Sequence, residues 1–251
     1  MSLDLKKLSE SLNDFQFSVQ LPSTGDIIYG RPYTVRDEFS LAQAAESKDQ
    51  KLMFNTLFEL IKRKYHSLKE EQLENLTMID FLALLIKLKI QSDDREIPLL
   101  VKCSKCGNEF KYKMDLTKIG TINAENFKRE IEIKLEKLET PIILTIKSLS
   151  FKKTLEYANI KDKLMNSEEM MNILKDIIES VSYNGEKTDM TTSEEDLTDF
   201  LNDIPKKKYE EITDFLNNQP ELAYTPKAKC THAGCLHENT ISVDDFFYLF
   251  F

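Results

Sequence analysis

Four cysteines constrain this chain more than any other feature. Cys103 and Cys106 form one close pair in VKCSKCGNEFKYKMDL, residues 101 to 116. Cys230 and Cys235 form a second in KAKCTHAGCLHENTISVDDFF, residues 227 to 247. Placing Cys106 on Cys235 without a gap sets Glu109 on Glu238, Tyr112 on Ile241, Met114 on Val243 and Asp115 on Asp244. Each pair is entered on an extended piece and left on a run of period two, the pattern of a strand. Strand, cysteine turn, strand therefore occurs twice, and each turn is half of a zinc knuckle. Zinc takes four soft or borderline ligands in a tetrahedron, which two such turns supply as four thiolates. The expected cofactor is one structural Zn2+ held by Cys103, Cys106, Cys230 and Cys235. Four protein ligands leave no position for a reacting water. The wide Cys230–Cys235 spacing brings His232 and His237 close, so three cysteines with one histidine is an alternative, as are four unmetallated buried thiols. A redox role fits less well, because no thioredoxin-like βαβ pattern surrounds the first pair.

The repetition extends beyond the cysteines. FSVQLPSTGDIIYGRPYTVRDEFSLAQA (17 to 44) aligns without a gap on IEIKLEKLETPIILTIKSLSFKKTLEYA (131 to 158). Val19 then falls on Ile133, Leu21 on Leu135, Ile28 on Ile142, Val35 on Leu149 and Leu41 on Leu155. Each segment reads as a β-hairpin leading into a helix, the first turning at Pro22-Ser23-Thr24-Gly25. Thr34 and either Ser148 or Ser150 are candidate N-caps. LTMIDFLALL (76 to 85) resembles DLTDFLNDI (196 to 204) in the same way. The expected fold is α+β: two pseudo-repeated units of β-hairpin, helices and cysteine knuckle, joined by a shared four-cysteine zinc site. Along the chain this gives a lead segment 1–12, a first repeat 13–118, a linker 119–127 and a second repeat 128–251.

Helices are expected over 36–47, 50–65, about 77–90, 168–182, 193–203 and 205–217. Leu52, Met53, Leu57, Leu60 and Ile61 mark the inner face of the second, and Ile79, Leu82, Leu85 and Ile86 that of the third. Ser167 and Ser193 are expected N-caps. SYNGEKTDMTTS (182 to 193) reads as the most polar loop.

Composition narrows function. At 41% apolar and 31% charged residues the chain is an ordinary globular protein, and its net charge of −9 disfavours nucleic acid and anionic membranes as partners. Lys102, Lys105, Lys111 and Lys113 make the first knuckle locally basic without reversing that balance. The start, MSLDLKKLSESLNDF, lacks the apolar core of a signal peptide, and no apolar run is long enough to span a membrane. With no G-x-S-x-G, P-loop or G-x-G-x-x-G, no constellation for catalysis stands out, and the chain is not expected to be an enzyme. LPSTG at 21–25 looks like a sortase signal but is expected to be the hairpin turn. His66 follows a helix end, where it suits the dipole. The sequence ends DDFFYLFF, and Phe246, Phe247, Tyr248, Leu249, Phe250 and Phe251 are candidate interface residues, because such an aromatic surface needs covering.

FSVQLPSTGDIIYGRPYTVRDE, SLAQAAES, LTMIDFLALLIKLKIQS and the CSKCGNE knuckle, in that order, resemble the baseplate hub proteins of T-even-like myophages. DLTDFLNDIPKKKYEEITDFLNNQPEL, running into a cysteine pair and a terminal DDFF, resembles that family's C-terminal end. The wider second turn and the added YLFF depart from the pattern. The resemblance implies a part in the contractile-tail baseplate hub, either as a lasting subunit or as a factor that assists assembly and leaves. It implies other hub and tail proteins as partners, and a location in the virion tail or the cytoplasm of the infected bacterium. A zinc-ribbon adaptor unrelated to phage tails, and less readily a zinc-dependent hydrolase, are the competing readings.

Overall fold

The computed structural model describes residues 15–125, 127–135, 140–158, 167–189 and 194–241. It is a mixed structure of helices and small antiparallel sheets, and it divides into two compact units. Among the described residues the first comprises 15–73, 80–122 and 222–241, and the second 74–79 and those between 123 and 221.

The first unit opens with a hairpin, β1 (Phe17–Gln20) and β2 (Ile27–Gly30), in which Phe17 pairs with Gly30 and Val19 with Ile28. LPSTG is its turn: Gly25 takes φ +78, and Leu21 N–H bonds Asp26 O at 2.8 Å. The turn is tied down by Asp80, whose carboxylate accepts from Ser23 N–H at 2.9 Å and Ser23 Oγ at 2.5 Å. Helices α1 (Val35–Ser47), α2 (Gln50–Lys64), α3 (Glu70–Glu74) and α4 (Met78–Ser92) follow. Thr34 caps α1, and the Asp37 carboxylate reaches back to Thr34 N–H at 2.8 Å and Thr34 Oγ1 at 2.9 Å. Asp49 caps α2 by accepting from Lys51 and Leu52 N–H. These caps satisfy donors that a helix start leaves open.

Leu57, Leu60 and Ile61 of α2 are buried as expected, but Leu52 is exposed, because it sits in the first turn beside its cap. In α4, Phe81, Leu84 and Leu88 are buried together with Leu85 and Ile86, which is a wider apolar face than a surface helix carries. Beyond α4 lie β3 (Glu96–Lys102) and β4 (Glu109–Asp115), paired from Glu96–Asp115 to Lys102–Glu109, and a 3-10 turn, Leu116–Lys118. β5 (Gly120–Ile122) pairs with β10 (Glu221–Ala223), and β11 (Lys227–Lys229) with β12 (Glu238–Thr240).

The second unit is built on one antiparallel sheet in the order β6 (Glu130–Leu135), β7 (Ile142–Lys147), β8 (Ile178–Tyr183) and β9 (Glu186–Asp189). Helices α5 (Phe151–Ala158), α6 (Ser167–Ile177), α7 (Glu194–Asn202) and α8 (Lys206–Asn217) complete it. Ile133, Leu144, Ile146, Ile173, Ile177, Leu201 and Ile212 belong to its core.

Three sequence expectations are corrected here. The helix read over 168–182 stops at Ile177, and Ile178–Tyr183 is a strand. Ile178 and Val181 suit either period, and β7 offers a second edge, so pairing decides between them. SYNGEKTD is then the end of a hairpin and not a loop: Asn184 and Gly185 both have positive φ, 54 and 83, the geometry of a type I′ turn. Residues 190–193, with the expected cap Ser193, lie outside the described residues.

The third correction concerns register. Ungapped superposition of the two hairpins puts Ile28 on Ile142, but Val19 pairs with Ile28 whereas Ile133 pairs with Leu144. Between these partners the second hairpin carries two more residues, so the ungapped match does not hold through both hairpins. Val35 is the first residue of α1 and Phe151 the first of α5; Thr34 precedes the one, and Ser150, which accepts from Lys153 N–H at 3.4 Å, precedes the other.

Candidate metal centre

The two cysteine turns are built alike. In the first, Cys103 N–H bonds Asn108 O at 2.9 Å, closing the end of β3 against the start of β4. In the second, Cys230 N–H bonds His237 O at 2.8 Å, doing the same for β11 and β12. Just past each outer cysteine the backbone turns left-handed, at Gly107 (φ 72) and at Leu236 (φ 46). Glycine takes that conformation without strain, whereas Leu236 pays for it and is left 72% exposed. The second turn has two more residues between its cysteines, and Cys235 N–H bonds His232 O at 3.1 Å within it.

All four sulfurs converge within 4.8 Å of one another. Contacts cross between the knuckles: Cys103 Sγ lies 3.8 Å from Cys235 Sγ, and Cys106 Sγ lies 3.6 Å from Cys230 Sγ. A tetrahedron with metal–sulfur bonds of about 2.3 Å has edges of about 3.8 Å, so these spacings fit a four-thiolate zinc ion. They are far too long for disulfides, and all four thiols are free. Among the described residues the cluster contains the four cysteines and neither His232 nor His237. The His237 ring instead meets Ser104, with Nε2 3.1 Å from Oγ.

Cys103 and Cys230 are buried, Cys235 is half-buried and Cys106 is exposed. Phe110, Ala228 and Ile241 surround the buried pair, with Leu99, Val101 and Tyr112 packed around them. Tyr112 reaches Tyr224, their hydroxyls 3.2 Å apart. Burial pushes the Cys103 thiol up, but the N–H groups of Cys106 and Lys105 and the Asn239 amide outweigh it and bring it down to about 6. Burial pushes Cys230 up. For Cys235 the His237 N–H pulls down, but burial and the neighbouring sulfurs leave it raised.

Sequence reasoning identified the four cysteines and overlooked Asn239. Its side chain is buried, and its Oδ1 accepts from Ser104 N–H at 2.9 Å and Ser104 Oγ at 3.2 Å. Its Nδ2 faces Cys103 Sγ at 3.6 Å and donates to His237 O at 3.2 Å. A signal was present: the same superposition that aligns Cys106 with Cys235 puts Asn239 on Phe110, a polar residue at an apolar position. The expected interface residues Phe246 to Phe251 lie outside the described residues.

A family model described as T4 bacteriophage base plate protein matches residues 13–250. No curated protein and no solved structure matches the chain.

Proposed function

Since the chain belongs to the T4 bacteriophage base plate protein family, we propose that it works in the baseplate hub, by binding other hub and tail proteins, with a structural zinc locking part of its fold. The family indicates a structural or assembly role in the baseplate, association with the virion, and contacts with other baseplate or tail proteins. The observation that carries the zinc reading is the convergence of Cys103, Cys106, Cys230 and Cys235 from two knuckles at tetrahedral spacing. With four protein sulfurs the ion would be coordinatively saturated. It would stabilise the fold and offer no place for a substrate. No helix among the described residues is long and apolar enough to cross a membrane.

The same reading takes the chain as two related units, 13–118 and 128–251, after a lead segment 1–12 and joined by 119–127. Similar knuckle turns, and a hydroxyl residue just before a helix at both Thr34 and Ser150, support it. Phe246, Phe247, Tyr248, Leu249, Phe250 and Phe251 are its proposed partner contact, on their aromatic composition.

Counting this chain in purified phage particles, against the known tail proteins, tests the hub role. A fixed copy number matching hub symmetry makes it a subunit. Absence from particles with presence on hub intermediates in infected cells makes it an assembly factor. Absence from both overturns the proposal.

A further inference from the structure

We infer that Asn239 is a positioning residue of the four-cysteine site, clasping the second knuckle to the first and holding the Cys103 sulfur as an acceptor; this rests on the metal reading above. An asparagine side chain offers two donors and two acceptor sites, and burying it is costly unless they are used. Here they are. Oδ1 takes both Ser104 N–H and Ser104 Oγ, and Nδ2 gives to His237 O and lies 3.6 Å from Cys103 Sγ and 3.5 Å from Ala228 O. Ser104 and Cys103 belong to the first knuckle; His237, Ala228 and Asn239 itself belong to the second. One side chain thus bonds both halves of a site whose halves lie far apart in the sequence.

Phe110, at the equivalent place in the first knuckle, contributes packing alone. The asymmetry has a chemical consequence. Two similar knuckles could pair in other ways, and a buried amide whose oxygen accepts from Ser104 and whose nitrogen faces Cys103 of the other knuckle favours this arrangement over one that leaves the oxygen unpaired. A hydrogen bond to a metal-bound thiolate also draws electron density from the sulfur, as outer partners of metal ligands do.

The test uses the full chain loaded with Co2+ in place of zinc, with Asn239→Asp beside the native protein. The aspartate keeps the shape and still accepts from Ser104, but turns a carboxylate oxygen toward the Cys103 sulfur. Two results are expected. Metal affinity, from competition with a chromophoric chelator, falls about 10- to 100-fold. The sulfur-to-cobalt charge-transfer band moves to longer wavelength while keeping four-thiolate intensity, because the sulfur has lost its donor. A merely structural residue would not move that band. Asn239→Val, which suits a strand and packs beside Ala228 and Ile241, carries the same expectation where Asn239→Asp does not fold. Native affinity and an unmoved band in a folded variant overturn the inference and leave the metal reading intact. Failure of the native chain to bind Co2+ or Zn2+ overturns the metal reading, and this inference with it.

Discussion

Tyr65 fills the space that a β-carbon on Gly30 would occupy. Such an atom would lie 2.7 Å from two ring carbons of Tyr65 and 3.2 Å from the ring of Phe17. Tyr65 is fully buried, stands edge-on to Phe17 with ring centroids 5.7 Å apart, and donates its hydroxyl to Leu84 O at 2.6 Å. It therefore connects the first hairpin, the end of α2 and the middle of α4. Gly30 has an ordinary backbone conformation, so its smallness is needed for contact and not for φ. Gly30→Ala should destabilise the protein by about 1–3 kcal/mol through overpacking. Urea denaturation followed by circular dichroism measures it; an unchanged midpoint would mean that the ring shifts freely.

Asp37 carries the charge balance between α1 and α2. Its carboxylate is buried and meets Lys64 Nζ at 2.5 Å and Arg63 at 3.2 Å, while also serving the cap at Thr34. Burial pushes the acid up, but Lys64 and the Thr34 bonds outweigh it and hold it below the usual carboxylate range. A lowered acid contributes stability that is present above its unfolded value of about 4 and is lost as pH falls through the lower folded value. Asp37→Asn should cost about 3 kcal/mol at neutral pH, because it leaves the half-buried Lys64 against a neutral group. The variant should also lose less stability than the native chain on acidification below about pH 4. Denaturation midpoints across that range check both.

Ser23 anchors the LPSTG turn through its hydroxyl and N–H to Asp80. Asp80 is buried, so removing the hydroxyl deprives its carboxylate of a strong partner. Ser23→Ala should cost about 1–3 kcal/mol, more than an exposed turn serine would. Hydrogen exchange at the hairpin amides, faster in the variant, would locate the loss in the turn.

Metal removal should act on the first unit, which holds all four cysteines. Dialysis against a chelator should lower the melting temperature, and Cys103→Ser or Cys230→Ser should do the same and abolish stoichiometric zinc. A variant that keeps one zinc per chain and a native melt would contradict a shared site. Affinity should fall in acid. Cys103 regains its proton as pH drops through about 6, and Cys230 and Cys235, held protonated without metal, must release theirs to bind.

Gly185 is a further single-site check. At φ +83 it follows Asn184 in the turn between β8 and β9, with open space around it. Gly185→Ala should therefore cost about 1 kcal/mol from backbone strain alone. Because no atom obstructs the new methyl, a larger loss would mean that the hairpin's register had slipped.

Local chemistry was legible from the residues alone. The LPSTG turn, the Thr34 cap, the helix bounds of α1, α2, α7 and α8 within a residue or two, and the two cysteine knuckles all depend on neighbours a few positions apart. Whatever depended on partners distant in sequence was not. EEMMNILKDIIESVS supports a helix throughout, and only the free edge of β7 turns its last five residues into a strand. The two hairpins do not share the spacing that an ungapped match requires, because pairing register is set across strands and not along them. Asn239 shows the same division. Its place opposite Phe110 was readable from the sequence, but that it reaches Ser104 and Cys103 follows only once the fold brings the knuckles together. By itself the sequence determined the cysteine turns, the hairpin turn and the caps, because short-range sterics and hydrogen bonding act within the segment that carries them. The tertiary structure decided which sulfurs face each other, which edge receives a strand and which polar group is buried, because those outcomes depend on long-range pairing and on the removal of water.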